Sequence, residues 1–534
     1  MTSVRSRASE SVWPVVVILS AIAAVVLYQS AYNASDLIPP PDAGEYALGA
    51  HRFVYEGSYT IAIQGRRLPP RYPPWFSVIF LAPAYAVLGP EPGNAVYPIT
   101  VLGIAGVVIA YFLGRRLSGD NGGVLAGLAV LSVPTYGFLG RLVMTDVPCT
   151  VLLLGICLIY VRIRDSAETR NASFLLAGIL IALVALVRPV DSAAALPFLL
   201  AVRSASRLRK RLVLICCLIG PLCVAVIMTL IYNASTFGSM TRNGYQFWSP
   251  VPYDYPWLTF SPSYVAANLR TLWVSKLPLQ LGALCLALGA NYRFRNRHTP
   301  VDTVRWRQIR AMIEFLLLGT GPIVVFHLFY YWREFRFYLP ALSVSAVLVA
   351  SIVGGWLPNL PRVVLLPFLV LTLLILSDLR FGMPGPPPYR RLAADRIKDT
   401  TPNDAIIIAA IDPVYLEYMV GKGSQRRIVP ISRSIEYANK LIAYRKIQDP
   451  TPHPRDALDH RCPGLANGGA KEAVPYVAVE NLDDLRAELA KGRRVFVETT
   501  SMAPEDMEVL SKSEKFVFSR RADFLYELEP SDHP

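Results

Sequence analysis

Residues 94–116 read NAVYPITVLGIAGVVIAYFLGRR, a mostly apolar run that ends in two adjacent arginines. A helix needs about 20 apolar residues to cross the hydrocarbon layer of a bilayer. Loops on the cytoplasmic side of a membrane are enriched in Lys and Arg. The stretch therefore predicts a membrane-spanning helix that ends at the cytoplasmic face.

The same pattern recurs along the first 377 residues. The chain has 534 residues, of which 53% are hydrophobic and only 17% are charged, whereas soluble domains carry roughly 25% charged residues. From these apolar runs we expect an α-helical polytopic membrane protein with about 11 transmembrane helices. The predicted spans are residues 12–31, 94–113, 122–139, 148–161, 173–187, 191–202, 212–232, 272–290, 311–331, 338–356 and 362–377. Spans 173–187 and 191–202 form a predicted hairpin broken at Arg188 and Pro189, because proline interrupts a helix.

The basic loops predict the topology. They are the N-terminal tail, Arg115-Arg116, and the loops at 162–170, 203–211 and 293–310. If all of them are cytoplasmic, an even number of spans must separate any two. This holds only if the apolar run 75–88 does not cross and instead forms a helix along the outer interface.

A cytoplasmic N-terminus follows from this parity, with the protein in the cell (inner or plasma) membrane. The first span is expected to be retained rather than cleaved as a signal peptide. The predicted extracytoplasmic parts are residues 32–93, the loop around Asp146, the loop 233–271, the turn Arg333–Arg336 and the C-terminal region. These parts can therefore form one site.

The C-terminal region predicts a small α/β domain. The expected organisation is a transmembrane domain at 1–380, a proline-rich linker at 381–390 and an extracytoplasmic α/β domain at 391–534. Helical patterns alternate there with short apolar runs, which is typical of an α/β layer structure. The expected strands are Ala405–Ile411, RRIVPI, the run after Gly492, SEKFVFSR and FLYELEP.

Net charge and cysteine usage exclude some classes of function. The net charge is +14, but the arginines cluster between apolar runs, so the excess indicates membrane topology and no nucleic acid partner. Six of the seven cysteines lie in or beside apolar runs, and no CxxC or His/Cys spacing indicates zinc. No metal site is predicted. A divalent metal cofactor stays possible, although no DxD pair requires one.

Three acidic residues are candidate catalytic groups. Asp42 and Glu45 follow three prolines at the start of a predicted amphipathic surface helix. Asp42 fits a helix N-cap as well as a catalytic role, and the two can coexist. Asp146, in GRLVMTDVP, lies at the outer end of a span, where a charge usually marks a functional site. The alternative for Asp146 is a structural ion pair with Arg141.

The external segments also carry candidate phosphate-binding arginines, because guanidinium groups pair bidentately with phosphate oxygens. The candidates are Arg66, Arg71, Arg141, Arg188, Arg333 and Arg336, together with Tyr72. Contacts with lipid head groups, neutralisation of Arg188 by Asp191 and anchoring by an aromatic belt are the simpler alternatives. His51, a lone external histidine, is expected at the surface.

The order of these motifs resembles a known group. PDAGEY, RYPPW, LGRRLSG, RLVMTDVP, LVRP, YNASTFGS and WREFRFYLPA follow one another across residues 12–377. This order is similar to that of the GT-C superfamily of integral membrane glycosyltransferases. The similar branch is the bacterial one near protein O-mannosyltransferases and aminoarabinose-lipid A transferases. The resemblance implies a GT-C-like helical domain with interfacial helices.

It further implies an inverting transfer of a sugar from a polyprenyl-phosphate-linked donor to an extracytoplasmic lipid, glycan or protein acceptor. Asp42 occupies the position of the family's general base. Members often carry an adjacent Asp-Glu pair, whereas Glu45 here lies three residues after Asp42. Asp146 is expected to orient the acceptor or an arginine. The competing hypotheses are a transporter or flippase for lipid-linked sugars and a non-catalytic envelope assembly protein.

Overall fold

A computed structural model of the chain describes most of the membrane block and parts of the C-terminal region. The described ranges, apart from isolated positions, are 12–32, 42–63, 66–165, 171–203, 207–248, 250–298, 303–355, 389–409, 413–420, 426–430, 488–500 and 516–530. The predicted span 362–377 and most of the predicted linker lie outside these residues.

The described membrane block is almost entirely helical. Its helices are α1 (Trp13–Tyr32), α2 (Asp42–Glu56), α3 (Ala82–Leu88), α4 (Val96–Leu131), α5 (Pro134–Leu139), α6 (Asp146–Asp165), α7 (Asn171–Val187), α8 (Leu196–Arg203), α9 (Leu208–Phe237), α10 (Gly244–Trp248), α11 (Pro250–Tyr253), α12 (Pro256–Thr259), α13 (Val265–Val274), α14 (Leu277–His298), α15 (Thr303–Phe315), α16 (Gly321–Phe329) and α17 (Leu339–Gly354). Short 3₁₀ or π turns precede α3, α4, α8, α13, α16 and α17. A two-stranded hairpin, β1 (Ile61–Ile63) with β2 (Arg66–Leu68), follows α2.

Several of these helices fit a bilayer. Within the described residues, five are long and apolar enough to cross a membrane: Pro92–Leu131, Asp146–Asp165, Leu208–Phe237, Val304–Phe329 and Phe335–Gly354. Shorter apolar helices occur at Trp13–Leu27, Ser77–Leu88, Asn171–Val187 and Leu277–Leu286. The chain is therefore a multi-pass membrane protein, and the count of 11 spans stays a prediction.

Helix α4 consists of two helical arms joined at a sharp turn, and the arms correspond to the two predicted spans 94–113 and 122–139. Its backbone leaves helical geometry only at Ser118 and Gly119, where the φ of Gly119 is +73°. Glycine tolerates this conformation because it has no Cβ. The two arms pack tightly, since a Cβ on Gly114 would lie 2.3 Å from the carbonyl oxygen of Gly122. The second arm ends at Leu131, before the separate helix α5, so the predicted end at 139 was wrong.

The predicted hairpin break is present. Helix α7 ends at Val187, a 3₁₀ turn covers Pro189–Ala195, and α8 continues to Arg203. Helix α6 is longer than the predicted 148–161 and begins at Asp146 itself. The break and the first residue of α6 therefore bring charged side chains to one end of the bundle.

The opposite end of the bundle carries a second set of ion pairs. Arg116 pairs with Asp165 at 2.7 Å, and Arg164 pairs with Glu314 at 3.1 Å. The amide of Gln308 donates a hydrogen bond of 2.8 Å to Asp165. Arg116, Arg164, Asp165 and Gln308 belong to basic loops that the parity argument assigns to one face, and the structure gathers them at one end. Glu314 lies just beyond the loop 293–310, inside a predicted span.

The helical segment Ser77–Leu88 is too short to span. Its 12 residues cover about 18 Å at 1.5 Å per residue, against a hydrocarbon layer of about 30 Å. It packs against α2. The indole of Trp75, just before it, donates a hydrogen bond of 3.2 Å to Thr229 near the end of α9. A helix of this length does not cross the layer, and its placement along the outer interface stays a prediction.

The described residues of the C-terminal region form a five-stranded sheet. Its strands are β3 (Ile406–Ala409), β4 (Arg427–Pro430), β5 (Val495–Glu498), β6 (Phe516–Ala522) and β7 (Leu525–Pro530). The order across the sheet is β4-β3-β5-β7-β6. Strand β3 pairs in parallel with β4 and β5, whereas β7 pairs antiparallel with β5 and β6. Each predicted strand has a counterpart in this sheet. Whether residues 391–534 fold as an independent domain stays a prediction.

Helices α18 (Tyr389–Thr400) and α19 (Pro413–Val420) accompany this sheet. Helix α19 packs against α2, where Glu417 forms an ion pair with Arg52. The hydroxyl of Tyr418 donates a hydrogen bond of 2.6 Å to the carbonyl of Pro92. The C-terminal region therefore contacts the membrane block at the helix that begins with Asp42.

Close packing of α7 on α9 yields a stability prediction. A Cβ on Gly178 would lie 2.5 Å and 2.7 Å from the carbonyl oxygens of Cys217 and Leu218. Gly178→Val should therefore force the helices apart and cost about 1–3 kcal/mol, which thermal unfolding in detergent would show as a lower Tm. Gly220→Val is the matched control on α9, because a Cβ there meets nothing within 4 Å. Equal Tm values for the two variants would contradict this packing.

Candidate active site

Charged side chains from five separate segments meet at one end of the bundle. They form an alternating series of acids and arginines, which we call the arginine–carboxylate chain: Glu45, Arg71, Asp42, Arg336, Asp146, Arg188 and Asp191. Each neighbouring pair in this order is an ion pair. The series joins the start of α2, the segment before Ser77–Leu81, the start of α6, the α7–α8 break and the turn before α17.

Asp42 lies in the middle of this series as the first residue of α2. One carboxylate oxygen is 3.3 Å from Nη2 of Arg71, and the other is 3.2 Å from Nη2 of Arg336. The free backbone amides at a helix N-terminus also favour a negative charge there. Asp42 therefore lies both in the first turn of α2 and in this series of ion pairs, while the N-cap role stays a prediction.

Burial raises the pKa of Asp42, but the nearby Arg71 and Arg336 guanidinium groups and a hydrogen bond with the Tyr72 hydroxyl outweigh it. The net pKa is lower than that of an ordinary aspartate. Asp42 is therefore a carboxylate at neutral pH, and it is a weak proton acceptor for as long as both arginines hold it.

Glu45 holds Arg71 in place. Its Oε1 lies 3.0 Å from Nη2 of Arg71, and its Oε2 accepts a hydrogen bond of 2.7 Å from the Arg71 backbone amide. The Glu45 side chain is only 6% exposed. The Arg71 guanidinium also lies 5.0 Å from the centre of the Tyr72 ring. Glu45 therefore orients an arginine in this structure.

Asp146 pairs with two arginines from other segments. Its Oδ1 is 3.0 Å from Arg188 and its Oδ2 is 3.8 Å from Arg336. Arg188 also reaches Asp191 at 3.5 Å, as the neutralisation alternative anticipated. Arg141, the partner considered from sequence, lies half-buried in the turn before α6. The pairs with Arg188 and Arg336 therefore connect Asp146 to Asp42 through a shared guanidinium group.

Tyrosine rings line the approach to this chain. The Tyr72 and Tyr245 rings are 5.4 Å apart, and those of Tyr245 and Tyr253 are 4.9 Å apart. Gly244 permits this approach, because a Cβ there would lie 2.2 Å from the carbonyl oxygen of Arg71. The external aromatic loop therefore rests directly on the segment that carries Arg71.

Other predicted residues lie elsewhere. Arg333 is exposed, and no described contact joins it to the arginine–carboxylate chain. Arg66 lies in β2, and its side chain is outside the described part of the structure. The expectation of a surface position for His51 was wrong. Its side chain is buried, and its ring packs 4.8 Å from Tyr55 and 5.6 Å from Tyr85.

The sequence analysis missed two aromatic residues near the site. Tyr245 contacts Tyr72 directly, but its loop is rich in aromatics and gave no reason to choose it. His327 is buried in α16 close to the arginine–carboxylate chain. The signal for His327 was present, because an ionisable residue inside an apolar span usually has a function.

The described residues contain no group of three or more His, Cys, Asp or Glu side chains that could hold a metal ion. Each acid of the arginine–carboxylate chain instead has an arginine partner. The chemistry that this set of residues supports directly is proton acceptance by a carboxylate and stabilisation of an anion by guanidinium groups.

One family model matches part of the chain. A family model described as dolichyl-phosphate-mannose-protein mannosyltransferase matches residues 72–232. No curated protein sequence matches the chain at a significant level. The matched segment includes Tyr72, Asp146 and Arg188.

The solved structures include one whose fold is similar to that of this chain. ArnT from Cupriavidus metallidurans bound to undecaprenyl phosphate gives a TM-score of 0.57 at 13% identity, covering 97% of this chain and 98% of that chain. Archaeal oligosaccharyltransferase AglB from Archaeoglobus fulgidus, in complex with an inhibitory peptide and a dolichol-phosphate, gives a TM-score of 0.48 at 12% identity. This match covers 97% of this chain and 75% of that chain. The resemblance to GT-C superfamily glycosyltransferases related to mannosyltransferases and aminoarabinose transferases is confirmed.

The lowered pKa of Asp42 predicts a pH-dependent stability. A group whose pKa is lower in the folded state stabilises the fold above its unfolded pKa of about 4, and this contribution is lost as pH falls through the folded value. Asp42→Asn should therefore lower Tm at pH 7, and the gap to the wild type should shrink at pH 3. Asp120→Asn is the matched control, because its pair with Arg115 is exposed and at the opposite end. A gap that is the same at both pH values would contradict the ion pairing of Asp42.

Proposed function

We propose that this protein transfers a sugar from a polyprenyl-phosphate-linked donor to an extracytoplasmic acceptor, with inversion at the anomeric carbon. The observation that carries the proposal is the position of the Asp42 carboxylate between Arg71 and Arg336, at the end of the bundle opposite the basic loops. This places one proton acceptor beside two groups that bind phosphate.

In the proposed reaction, an acceptor hydroxyl attacks the anomeric carbon from the face opposite the phosphate. A bond forms between the acceptor oxygen and that carbon while the carbon–oxygen bond to the carrier phosphate breaks. The hydroxyl proton passes to Asp42, and the carrier phosphate leaves with the bonding electrons. General-base assistance of this kind is worth about 10²–10⁴-fold in rate.

Arginines stabilise the departing phosphate in this proposal. The Nε atoms of Arg71 and Arg336 are buried and lack a hydrogen-bond partner among the described residues, so both guanidinium groups have unused donors. Preorganised cations contribute most where water is excluded. Glu45 and Asp146 then act by holding Arg71, Arg188 and Arg336 in position rather than by accepting the proton.

Binding of the donor would also activate Asp42. A phosphate that recruits Arg71 and Arg336 weakens their hold on the carboxylate, and the pKa of Asp42 rises as these charges are shared. Asp42 is therefore a weak base while both arginines hold it and a stronger base once the donor phosphate is bound. Proton acceptance then depends on prior binding of the donor.

The choice of a polyprenyl carrier has independent support. The ArnT structure that shares this fold contains undecaprenyl phosphate. The site lies at the ends of apolar helices, where a lipid carrier can reach it from the membrane. The sugar is a hexose or pentose, and the acceptor is a lipid, glycan or protein outside the cytoplasm.

We place the protein in the inner or plasma membrane with a cytoplasmic N-terminus. The end of the bundle with Arg116 and Arg164 then faces the cytoplasm, as the positive-inside rule requires. The arginine–carboxylate chain faces outward. Residues 391–534 form an extracytoplasmic domain in this proposal, and contact between α19 and α2 brings that domain beside the active site.

The Asp42 assignment can be tested before the sugar is known. Cells that lack the protein should accumulate its lipid-linked donor, which mass spectrometry of extracted lipids would identify. Cells with Asp42→Asn should accumulate the same lipid, although the variant reaches the membrane in normal amounts. Cells with Asp120→Asn should resemble the wild type. Normal levels of the lipid-linked donor in cells with Asp42→Asn would refute the assignment of Asp42 as the base. If cells that lack the protein accumulate no lipid-linked sugar, the proposed transferase activity is refuted.

Arg336→Lys tests the shared guanidinium group. Arg336 contacts Asp42 and Asp146 through different nitrogens, and a lysine ammonium cannot reproduce this fork. We expect at least about tenfold slower transfer by the purified variant. Arg242→Lys, in the exposed external loop, is the control and should keep wild-type transfer. Equal rates for the two variants would show that a point charge at position 336 is sufficient.

A further inference from the structure

His327 is a buried histidine whose two ring nitrogens have no hydrogen-bond partner among the described residues. It lies near the end of α16, in the apolar sequence GPIVVFHLF, and is 5% exposed. Neither ring nitrogen has a hydrogen-bond partner among the described residues. Burial of an unpaired polar group costs free energy, and nearly all buried side-chain polar atoms are paired. The site therefore has an unfilled hydrogen-bonding position.

The surroundings of His327 connect it to the arginine–carboxylate chain. Its ring stacks on Phe337, with 4.2 Å between ring centres and 13° between planes. The guanidinium carbons of Arg188 and Arg336 lie 5.8 Å and 5.7 Å from the centre of the same Phe337 ring. The Phe337 ring therefore stacks on the His327 imidazole and also lies near the guanidinium groups of Arg188 and Arg336.

A structural role alone does not account for this arrangement. Stacking on Phe337 uses the face of the imidazole and leaves both nitrogens at its edge without partners. A phenylalanine would stack equally well at no polar cost. The Tyr330 ring centre lies 5.9 Å from that of the imidazole, and its hydroxyl is hydrogen-bonded to Tyr253 at 2.7 Å. The described residues therefore leave both ring nitrogens able to bind a polar group of a bound molecule.

The charges beside Phe337, on which the His327 ring stacks, select the chemistry of that group. A neutral imidazole donates one hydrogen bond, and Arg188 and Arg336 add guanidinium donors. A phosphate offers several strongly accepting oxygens and a negative charge, which these donors match together. A sugar hydroxyl would use the imidazole but gain little from two cations.

We propose that His327 donates a hydrogen bond to the phosphate of the lipid carrier, alongside the arginines. This rests on the proposed function, in which a polyprenyl phosphate is the carrier. His327 is then a further substrate-contacting residue, and the carrier phosphate satisfies its buried nitrogen. The Phe337 stack fixes the orientation of the imidazole edge.

The test measures lipid binding to the full-length protein in nanodiscs, with undecaprenyl phosphate and undecaprenol as probes. His327→Phe keeps the ring stack and removes the nitrogens. We expect it to bind undecaprenyl phosphate about tenfold or more weakly, because a hydrogen bond to a charged group is lost. Binding of undecaprenol should not change. His327→Gln, which retains an N–H donor, should recover part of the affinity.

The control is His51→Phe, because His51 is also a buried histidine and packs on Tyr55 and Tyr85. The His51→Phe variant should bind both lipids as the wild type does. Wild-type affinity of His327→Phe for undecaprenyl phosphate would overturn the inference, even if sugar transfer fell, since the contact would then be to the sugar. Equal loss of both lipids, or no recovery with His327→Gln, would also overturn it. A wild-type protein that does not distinguish the two lipids would instead overturn the proposed function.

Discussion

The pairing of buried carboxylates with arginines is the constraint on which the outer end of this bundle depends. Four acids and three arginines alternate between Glu45 and Asp191. Each charge would be costly so near the apolar helices without its neighbours. The ion pairs join segments that are distant in the sequence, so they hold the start of α2, the start of α6 and the α7–α8 break in one arrangement.

The same constraint shapes the proposed chemistry. The four acids of the arginine–carboxylate chain outnumber its three arginines. Asp42 shares the guanidinium group of Arg71 with Glu45 and that of Arg336 with Asp146. An incoming phosphate is attracted by the arginines and repelled by the acids, so it must compete with Asp42 for Arg71 and Arg336. The competition frees the carboxylate as the donor arrives. The ion pairs that stabilise the folded protein are therefore the same contacts that weaken Asp42 as a base.

The sequence predicted the features that depend on local pattern. The apolar runs and the break at Arg188 are local features, and the structure contains matching helices and that break. The side of the basic loops was predicted from their charge and the number of spans between them, and the ion pairs of Arg116 and Arg164 lie together at one end. Partner choice is not local, which is why the link of Asp146 to Arg188 and Arg336 was not foreseen. Burial of His51 depends on Tyr55 and Tyr85 packing around it.

The most direct measurement is a cryo-electron microscopy structure of the full-length protein in nanodiscs with undecaprenyl phosphate. The account predicts density for the phosphate between Arg71 and Arg336, with both guanidinium groups drawn from Asp42 and its carboxylate open to solvent. The opposite end of the bundle offers its own arginines, near Arg116 and Arg164. A phosphate bound there, with Asp42 still held by both arginines, would contradict the account.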